Sequence, residues 1–480
     1  MINSFYEQYV IMETDFSESV AYRWVNSDGE SVCSRTYGEY CADIRRYAAY
    51  LKDKLGELAG KHVAVLSQNS YDYYVIFYAG FLTNTVIVPM NYQKELSELL
   101  DEMERADISA VIVSPTVLEW LPELPEKYTG ELMDISGYKE YPEAELEALT
   151  DLDRLGVIMY TSGTTGRSKG VMLSQKNLLY SFAYDLYNHY MDFYYRSTAS
   201  GTGYFSVLPV FHVAGLRSLD FLFQRIAINI CESPKYFYRD LSLMSSGSSA
   251  LVPSFFNALF QDVRSGRRSR LGTMSLFYTL GANADLEALA YLIDNGYSIE
   301  QRYGLTESVG LGIKNISQDK KHISSIGQPE NIVQVRLDDG ELCLRGDTIF
   351  MGYYKDPEST AEVFDEDGWF HTGDLARVDE DGYYYITGRK KNLIILSSGE
   401  NVSPEELENK LLANKNITEV IIKEKDNRIA AEIYCEKEKQ PEIRDFVAEL
   451  NKTLPTYKYI AETVFRDTPF ERTSTGKIKR

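Results

Sequence analysis

Val157–Ser174 reads VIMYTSGTTGRSKGVMLS: an apolar run, a stretch of hydroxyls and glycines, a lysine, and a second apolar run. Gly163, Gly166 and Gly170 allow positive φ and close backbone approach. Thr161, Ser162, Thr164 and Thr165 offer hydroxyl and backbone donors to phosphate oxygens, and Lys169 adds a cation. A Walker A loop carries its lysine directly after the second glycine, followed by Ser or Thr. Here Lys169 stands three residues after Gly166 and precedes Gly170, so that loop is excluded. A Gly/Ser-rich hairpin turn without a ligand is the alternative reading of the segment.

Upstream, the pattern alternates between helix and strand. Thr36–Leu55 has helical spacing, and His62–Leu66 reads as a strand. A helix near Asp72–Phe81, a strand over Thr85–Val88 and the apolar run Ala110–Val113 follow. The same texture continues through Gly156–Tyr160, Gly203–Leu208 and Leu276–Leu280. This alternation predicts an α/β body with a largely parallel sheet. From about Ile332 the character changes to short strands, Val333–Leu337 and Glu341–Arg345. Asp379–Gly382 is a turn signal before Tyr383–Thr387, which predicts a hairpin. Beyond Gly388-Arg389-Lys390-Lys391 a small α+β pattern begins. It has a helix over Pro404–Leu412 capped by Ser403, strands over Glu419–Lys423 and Ile429–Tyr434, and an amphipathic helix over Pro441–Leu454. A domain boundary near Lys391 is expected, giving a body of residues 1–390 and a C-terminal domain of residues 391–480.

The chain has 480 residues, 44% of them hydrophobic, which suits more than one core. A net charge of −21, from 71 acidic and 50 basic side chains, argues against a nucleic-acid or anionic-membrane surface. The five cysteines are scattered and show no CxxC or Cys/His spacing. That predicts a reducing, cytoplasmic setting without disulfides or zinc. Met1–Asp15 lacks the basic start and apolar run of a secretory signal. The longest uncharged stretch, Tyr73–Tyr92, is interrupted by Asn84, Thr85 and Pro89, and is read as a buried helix and strand with no membrane span. The 37 tyrosines are spread without a repeat.

With Tyr160–Gly170 and the segments below in place, the chain resembles the adenylate-forming superfamily, which includes acyl-CoA synthetases, luciferases and peptide-synthetase adenylation domains. Ser168 stands where that signature has proline, a position that shapes the turn more than the chemistry. Gln301–Ser308 (QRYGLTES) resembles the segment that holds adenine and magnesium. The resemblance implies Tyr303 against adenine, Thr306 at the α-phosphate, and Glu307 and Thr164 as the Mg²⁺ ligands. Gly304 would line the substrate pocket. Gly281-Ala282-Asn283 matches a loop that reads adenine partly through backbone. His371–Asp374 (HTGD) resembles the motif whose aspartate accepts from both ribose hydroxyls, here Asp374. Arg389 would contact ribose or phosphate, and Lys391 would be the hinge. Arg472–Arg480 matches the C-terminal motif whose lysine, Lys477, enters the active site. The implied fold is a large N-terminal domain of parallel and mixed sheets with flanking helices and a distorted barrel. A small, mobile α+β C-terminal domain follows.

The implied reaction activates a carboxylic acid with ATP and Mg²⁺ to an acyl-adenylate, then passes the acyl group to a thiol. Lys477 would bridge the carboxylate and the α-phosphate, with Lys169 steadying the departing pyrophosphate. Gly399 would line the thiol passage. Leu208–Gly215 (LPVFHVAG) carries Phe211 and His212 where amino-acid-activating relatives have an aspartate. It thereby favours a plain acid, with His212 at the pocket wall. Leu393–Leu407 resembles the fatty acyl-CoA synthetase branch, favouring coenzyme A and an aliphatic acid. The short turn between Glu419–Lys423 and Ile429–Tyr434 leaves the phosphopantetheine of a carrier protein as the alternative acceptor. A non-catalytic nucleotide-binding relative would have lost Lys477, Glu307 or Asp374, and all three are present.

Overall fold

The computed structural model describes residues 2–161, 167–186, 190–280, 285–397, 400–471 and 478. Two compact units emerge: residues 1–335 with 344–370, and residues 336–343 with 371–480.

The first unit is built on two large sheets. One has nine strands, with Val20–Val25, Ile228–Ile230, Gly203–Ser206, Ser246–Leu251, Leu276–Leu280 and Ser298–Gly304 parallel in that order. Antiparallel strands extend it on both sides, Val32–Thr36 at one end and Gly312–Asn315 with Gln328–Pro329 at the other. The second sheet has seven strands. Val86–Pro89, His62–Leu66, Ile108–Val113 and Glu131–Asp134 are parallel, and Leu155–Thr161, Lys169–Ser174 and Gly352–Tyr353 complete it. Central parallel strands are buried on both faces, and His62–Leu66 is buried along its whole length.

Local signals start the helices. Thr36 caps Tyr37–Leu55 in a capping box with Glu39. Ser70 caps Tyr71–Thr83, which ends at Asn84 in the left-handed region (φ 56°). Tyr73 through Leu82 are all buried, so this apolar stretch is a core helix. Many of the tyrosines enter this core: Tyr22, Tyr40, Tyr47, Tyr73, Tyr74 and Tyr78 are fully buried. The Tyr74 hydroxyl lies 2.9 Å from Ser206 Oγ and 2.8 Å from Ser218 Oγ. Among the described residues no helix is long and apolar enough to cross a membrane.

The second unit holds Glu419–Lys425, Arg428–Tyr434 and Ile460–Arg466 as a three-stranded sheet, with the helices Pro404–Leu412 and Gln440–Lys452 sharing its core. The hairpin between the first two strands turns on Asp426 and Asn427, both at positive φ (50° and 57°), as a two-residue primed turn requires. Ile460–Arg466, parallel to Arg428–Tyr434, has no counterpart in the sequence reading. The expected distorted barrel is not closed among the described residues. Gln334–Asp338, Glu341–Arg345, Phe370–Val378 and Tyr384–Arg389 form an open four-stranded sheet, and the division between the units cuts through its strands. Four short strands cannot close a ring around side chains.

Candidate active site

The expected site residues fall in both units, and each unit is described on its own. Ser162, Gly163, Thr164, Thr165, Gly281, Ala282, Asn283, Gly399 and Lys477 lie outside the described residues.

In the first unit, Leu155–Thr161 and Lys169–Ser174 pair antiparallel, with Thr161 opposite Lys169 and Tyr160 opposite Gly170. The helix Leu96–Arg105 ties down the base of this hairpin. The Tyr160 hydroxyl donates to the Glu102 carbonyl (3.1 Å), and Arg105 donates to the carbonyl and hydroxyl of Ser168 (2.8 and 3.1 Å). The Ser168 hydroxyl donates to the Glu102 carboxylate, which also accepts from Lys94. Glu102 is fully buried, and both of these donors meet its Oε1. Ser168 therefore does more than shape a turn, a role that sequence could not show because Glu102 is 66 positions away.

Lys169 and Glu307 meet at Tyr353. The Lys169 ammonium stands 4.8 Å from the centre of the Tyr353 ring, and the Tyr353 hydroxyl donates to Glu307 Oε1 at 3.0 Å. Burial, and secondly Glu307, push the Tyr353 phenol far above its ordinary range. One tyrosine among 37 gives no signal of this in the sequence.

Glu307 sits in the single turn Thr306–Ser308, just beyond the strand Ser298–Gly304 that carries half-buried Tyr303. The Leu305 N–H donates to Ser308 Oγ (3.1 Å), and the Phe350 N–H to the Glu307 carbonyl (2.8 Å). Val309 then adopts φ 52°, costly for a β-branched residue. Arg217 Nη1 holds its carbonyl at 3.2 Å. A Cβ at Gly304 would fall 2.3 Å from the Gly310 carbonyl carbon, so backbone occupies the space a side chain would need.

Arg217 belongs to a buried ionic cluster behind this motif. It pairs with Asp220 and donates to Ser181 Oγ (2.8 Å). Arg302, next to Tyr303, pairs with Glu300 and with Asp185 (3.2 Å). Lys314 lies 3.2 Å from Asp185 and 3.4 Å from Glu330. Asp185 is held down at about 2, because Lys314, Arg302 and Arg217 outweigh its burial. Asp220 is pushed up to about 7: burial dominates, and Asp185 adds to it against the opposing pull of Arg217. The same guanidinium lowers one partner successfully and the other not, because Asp185 has three cations around it. None of these residues was singled out from sequence, since isolated charges carry no motif.

His212 begins the short helix Val213–Leu216, its ring 4.8 Å from Phe211. Phe211 packs edge-on against Tyr92 (5.5 Å), which meets Trp120 (5.5 Å). The result is a continuous aromatic run that reaches half-exposed Trp120.

In the second unit, Asp374 and Arg389 are cross-strand partners joined by an ion pair of 2.7 Å, with Asp374 only 4% exposed. The Asp374 N–H donates to Thr372 Oγ1 (3.1 Å). A Cβ at Gly388 would lie 2.1 Å from Ser403 Oγ, so this strand packs directly on the cap of helix Pro404–Leu412. Lys391 is exposed in the turn Lys390–Asn392. Asp338, Cys343 and His371 do come together, with ligand atoms within 4.8 Å, although their spacing showed no metal pattern. His371 Nδ1 is 3.0 Å from Glu341 Oε2, which also takes Lys390 at 2.7 Å.

Among the expected site residues that are described, the first unit thus holds Lys169 on its hairpin and Glu307 in a tight turn, and the second holds buried Asp374 beside Arg389. The chain belongs to the AMP-binding enzyme family, which it matches over residues 14–354. It is 30% identical over 403 residues to a feruloyl-CoA synthase of Amycolatopsis sp, covering 78% of this chain and 77% of that one. To the long-chain-fatty-acid–CoA ligase FadD13 of Mycobacterium tuberculosis it is 29% identical over 472 residues, 92% and 91% of the two chains. Its fold matches ATP-bound MatB of Rhodopseudomonas palustris (TM-score 0.84, 25% identity, 100% and 97% covered). The o-succinylbenzoate CoA synthetase MenE of Bacillus subtilis gives a TM-score of 0.82 at 21% identity, with 100% and 97% covered. The chain is an AMP-forming acid–CoA ligase with the adenylate-forming fold.

Proposed function

We propose that this ligase activates a plain, apolar carboxylic acid, aliphatic in the first instance, and transfers it to coenzyme A in a cytoplasmic setting. The observation that carries the reading is the meeting of Lys169 and Glu307 on Tyr353, a cation and a hard carboxylate separated by 138 positions and brought together as a triphosphate would need. The aromatic run from His212 to Trp120 supports an apolar acyl group. An aryl acid is the second reading, favoured by the feruloyl-CoA synthase relative.

In the proposed first step a carboxylate oxygen attacks the α-phosphorus, and pyrophosphate leaves. Two anions must meet, so the protein's task is electrostatic. Lys477 neutralises the approaching carboxylate and the α-phosphate, with Thr306 at the same phosphate. Thr161, Ser162, Gly163, Thr164, Thr165 and Lys169 hold the β- and γ-phosphates. Tyr303 and Gly281-Ala282-Asn283 take adenine, and Asp374 with Arg389 takes ribose, because a carboxylate can accept from both hydroxyls. For Mg²⁺ the donor chemistry fits: Glu307 offers hard oxygens, and this ion takes few protein ligands beside phosphates. When bound, it would neutralise phosphate charge and polarise the reacting phosphorus. In the second step the thiol sulfur attacks the acyl carbon and AMP leaves, with Gly399 leaving room for the pantetheine arm and Lys391 as the hinge between the body and the C-terminal domain.

Pyrophosphate exchange across a panel of aliphatic, aryl and amino acids tests the reading, with thioester formation then scored against CoA and carrier protein. Exchange with medium- or long-chain acids and thioester with CoA is expected. Exchange confined to amino acids, or transfer only to carrier protein, refutes it.

A further inference from the structure

Tyr353 joins two groups that the adenylation reading treats separately. It lies in the edge strand Gly352–Tyr353, with Tyr353 opposite Val171 and Gly352 opposite Met172. Its side chain is buried, with the hydroxyl on Glu307 Oε1 (3.0 Å) and the ring face toward Lys169 (4.8 Å). The backbone there is itself fixed. The Tyr353 N–H donates to Thr360 Oγ1 (2.9 Å), and that hydroxyl donates to the Asp356 carbonyl (2.8 Å). Because the Phe350 N–H holds the Glu307 carbonyl (2.8 Å), the segment 350–353 grips both the backbone and the carboxylate of Glu307.

We infer that Tyr353 is a positioning residue of the nucleotide site. Its hydroxyl orients the Glu307 carboxylate toward the divalent cation of the bound nucleotide, and its ring holds the Lys169 ammonium at the phosphates. The inference rests on the roles of Glu307 and Lys169 proposed above. A partner that orients a metal-ligating carboxylate typically changes metal affinity by about 10–100-fold when removed. A cation over a ring contributes about 0.5–2 kcal/mol, a factor of about 2 to 30.

The two halves separate by substitution on the full chain. Tyr353→Phe keeps the ring and removes the donor, while Tyr353→Leu removes both. Free Mn²⁺ is followed by electron paramagnetic resonance during titration with α,β-methylene-ATP present, and metal-free binding of the same analogue by calorimetry. Tyr353→Phe should weaken Mn²⁺ binding about tenfold and leave metal-free nucleotide affinity within about twofold. Tyr353→Leu should weaken the metal-free affinity by a further factor of about three or more. Wild-type Mn²⁺ affinity in Tyr353→Phe overturns the hydroxyl's role. Equal metal-free affinity in Tyr353→Leu and Tyr353→Phe overturns the ring's role. Unchanged Mn²⁺ affinity in Glu307→Gln overturns the reading of Glu307 itself.

Discussion

Asp220→Asn should flatten a pH dependence of stability that the buried cluster builds into the first unit. Asp220 lies in that cluster with Asp185, Glu300, Glu330, Arg217, Arg302 and Lys314, and its burial favours a bound proton there. Asp220 is the carboxyl that keeps it, its pKa raised from 3.8 to about 7 by burial. A carboxyl raised on folding binds more protons in the native state. Its stabilising contribution is therefore full below pH 3.8 and is lost as pH rises through about 7. Between pH 5 and pH 8 the loss amounts to about 2.5 kcal/mol. Asp185 works in the opposite sense and outside that window: lowered to about 2, it withdraws stability only as pH falls below 3.8. Asparagine keeps the shape and does not titrate, so the variant should gain on the wild type by about 2.5 kcal/mol from pH 5 to pH 8. Urea unfolding followed by tyrosine near-UV circular dichroism, at matched m-values, measures that difference. Parallel curves, with a change under about 0.5 kcal/mol, would refute the assignment of the proton to Asp220.

Lys477→Ala should retain ATP affinity within about threefold while losing about 10²–10³ in pyrophosphate exchange; near-normal exchange would remove Lys477 from the chemistry. Gly304→Ala places a Cβ 2.3 Å from the Gly310 backbone, so a destabilisation of about 1–3 kcal/mol with loss of exchange is expected in thermal unfolding and activity assays. If Asp374 accepts from the ribose hydroxyls as proposed, Asp374→Ala should erase the preference for ATP over 2′-deoxy-ATP, measured as the ratio of their dissociation constants.

Much of this protein was legible in its residues. Hydrophobic period and caps act locally, so His62–Leu66, Leu276–Leu280, Glu341–Arg345 and the Ser403-capped helix Pro404–Leu412 could be read directly. Val20–Val25 and Val32–Thr36 were not, because short half-exposed strands lack a distinctive period: the first is held by pairing with Ile228–Ile230 and the second by pairing with the first. The same division runs through the site. Hydroxyl-glycine spacing around Lys169, and motifs around Glu307 and Asp374 that resemble those of the adenylate-forming superfamily, pointed in the sequence to an adenylate-forming enzyme, and the chain belongs to the AMP-binding enzyme family. Long-range packing alone decided that Ser168 rests on Glu102, that Arg217 holds the turn after Glu307, and that Tyr353 links Lys169 to Glu307. Such contacts join positions far apart in the chain, and their strength comes from burial, which no residue carries by itself.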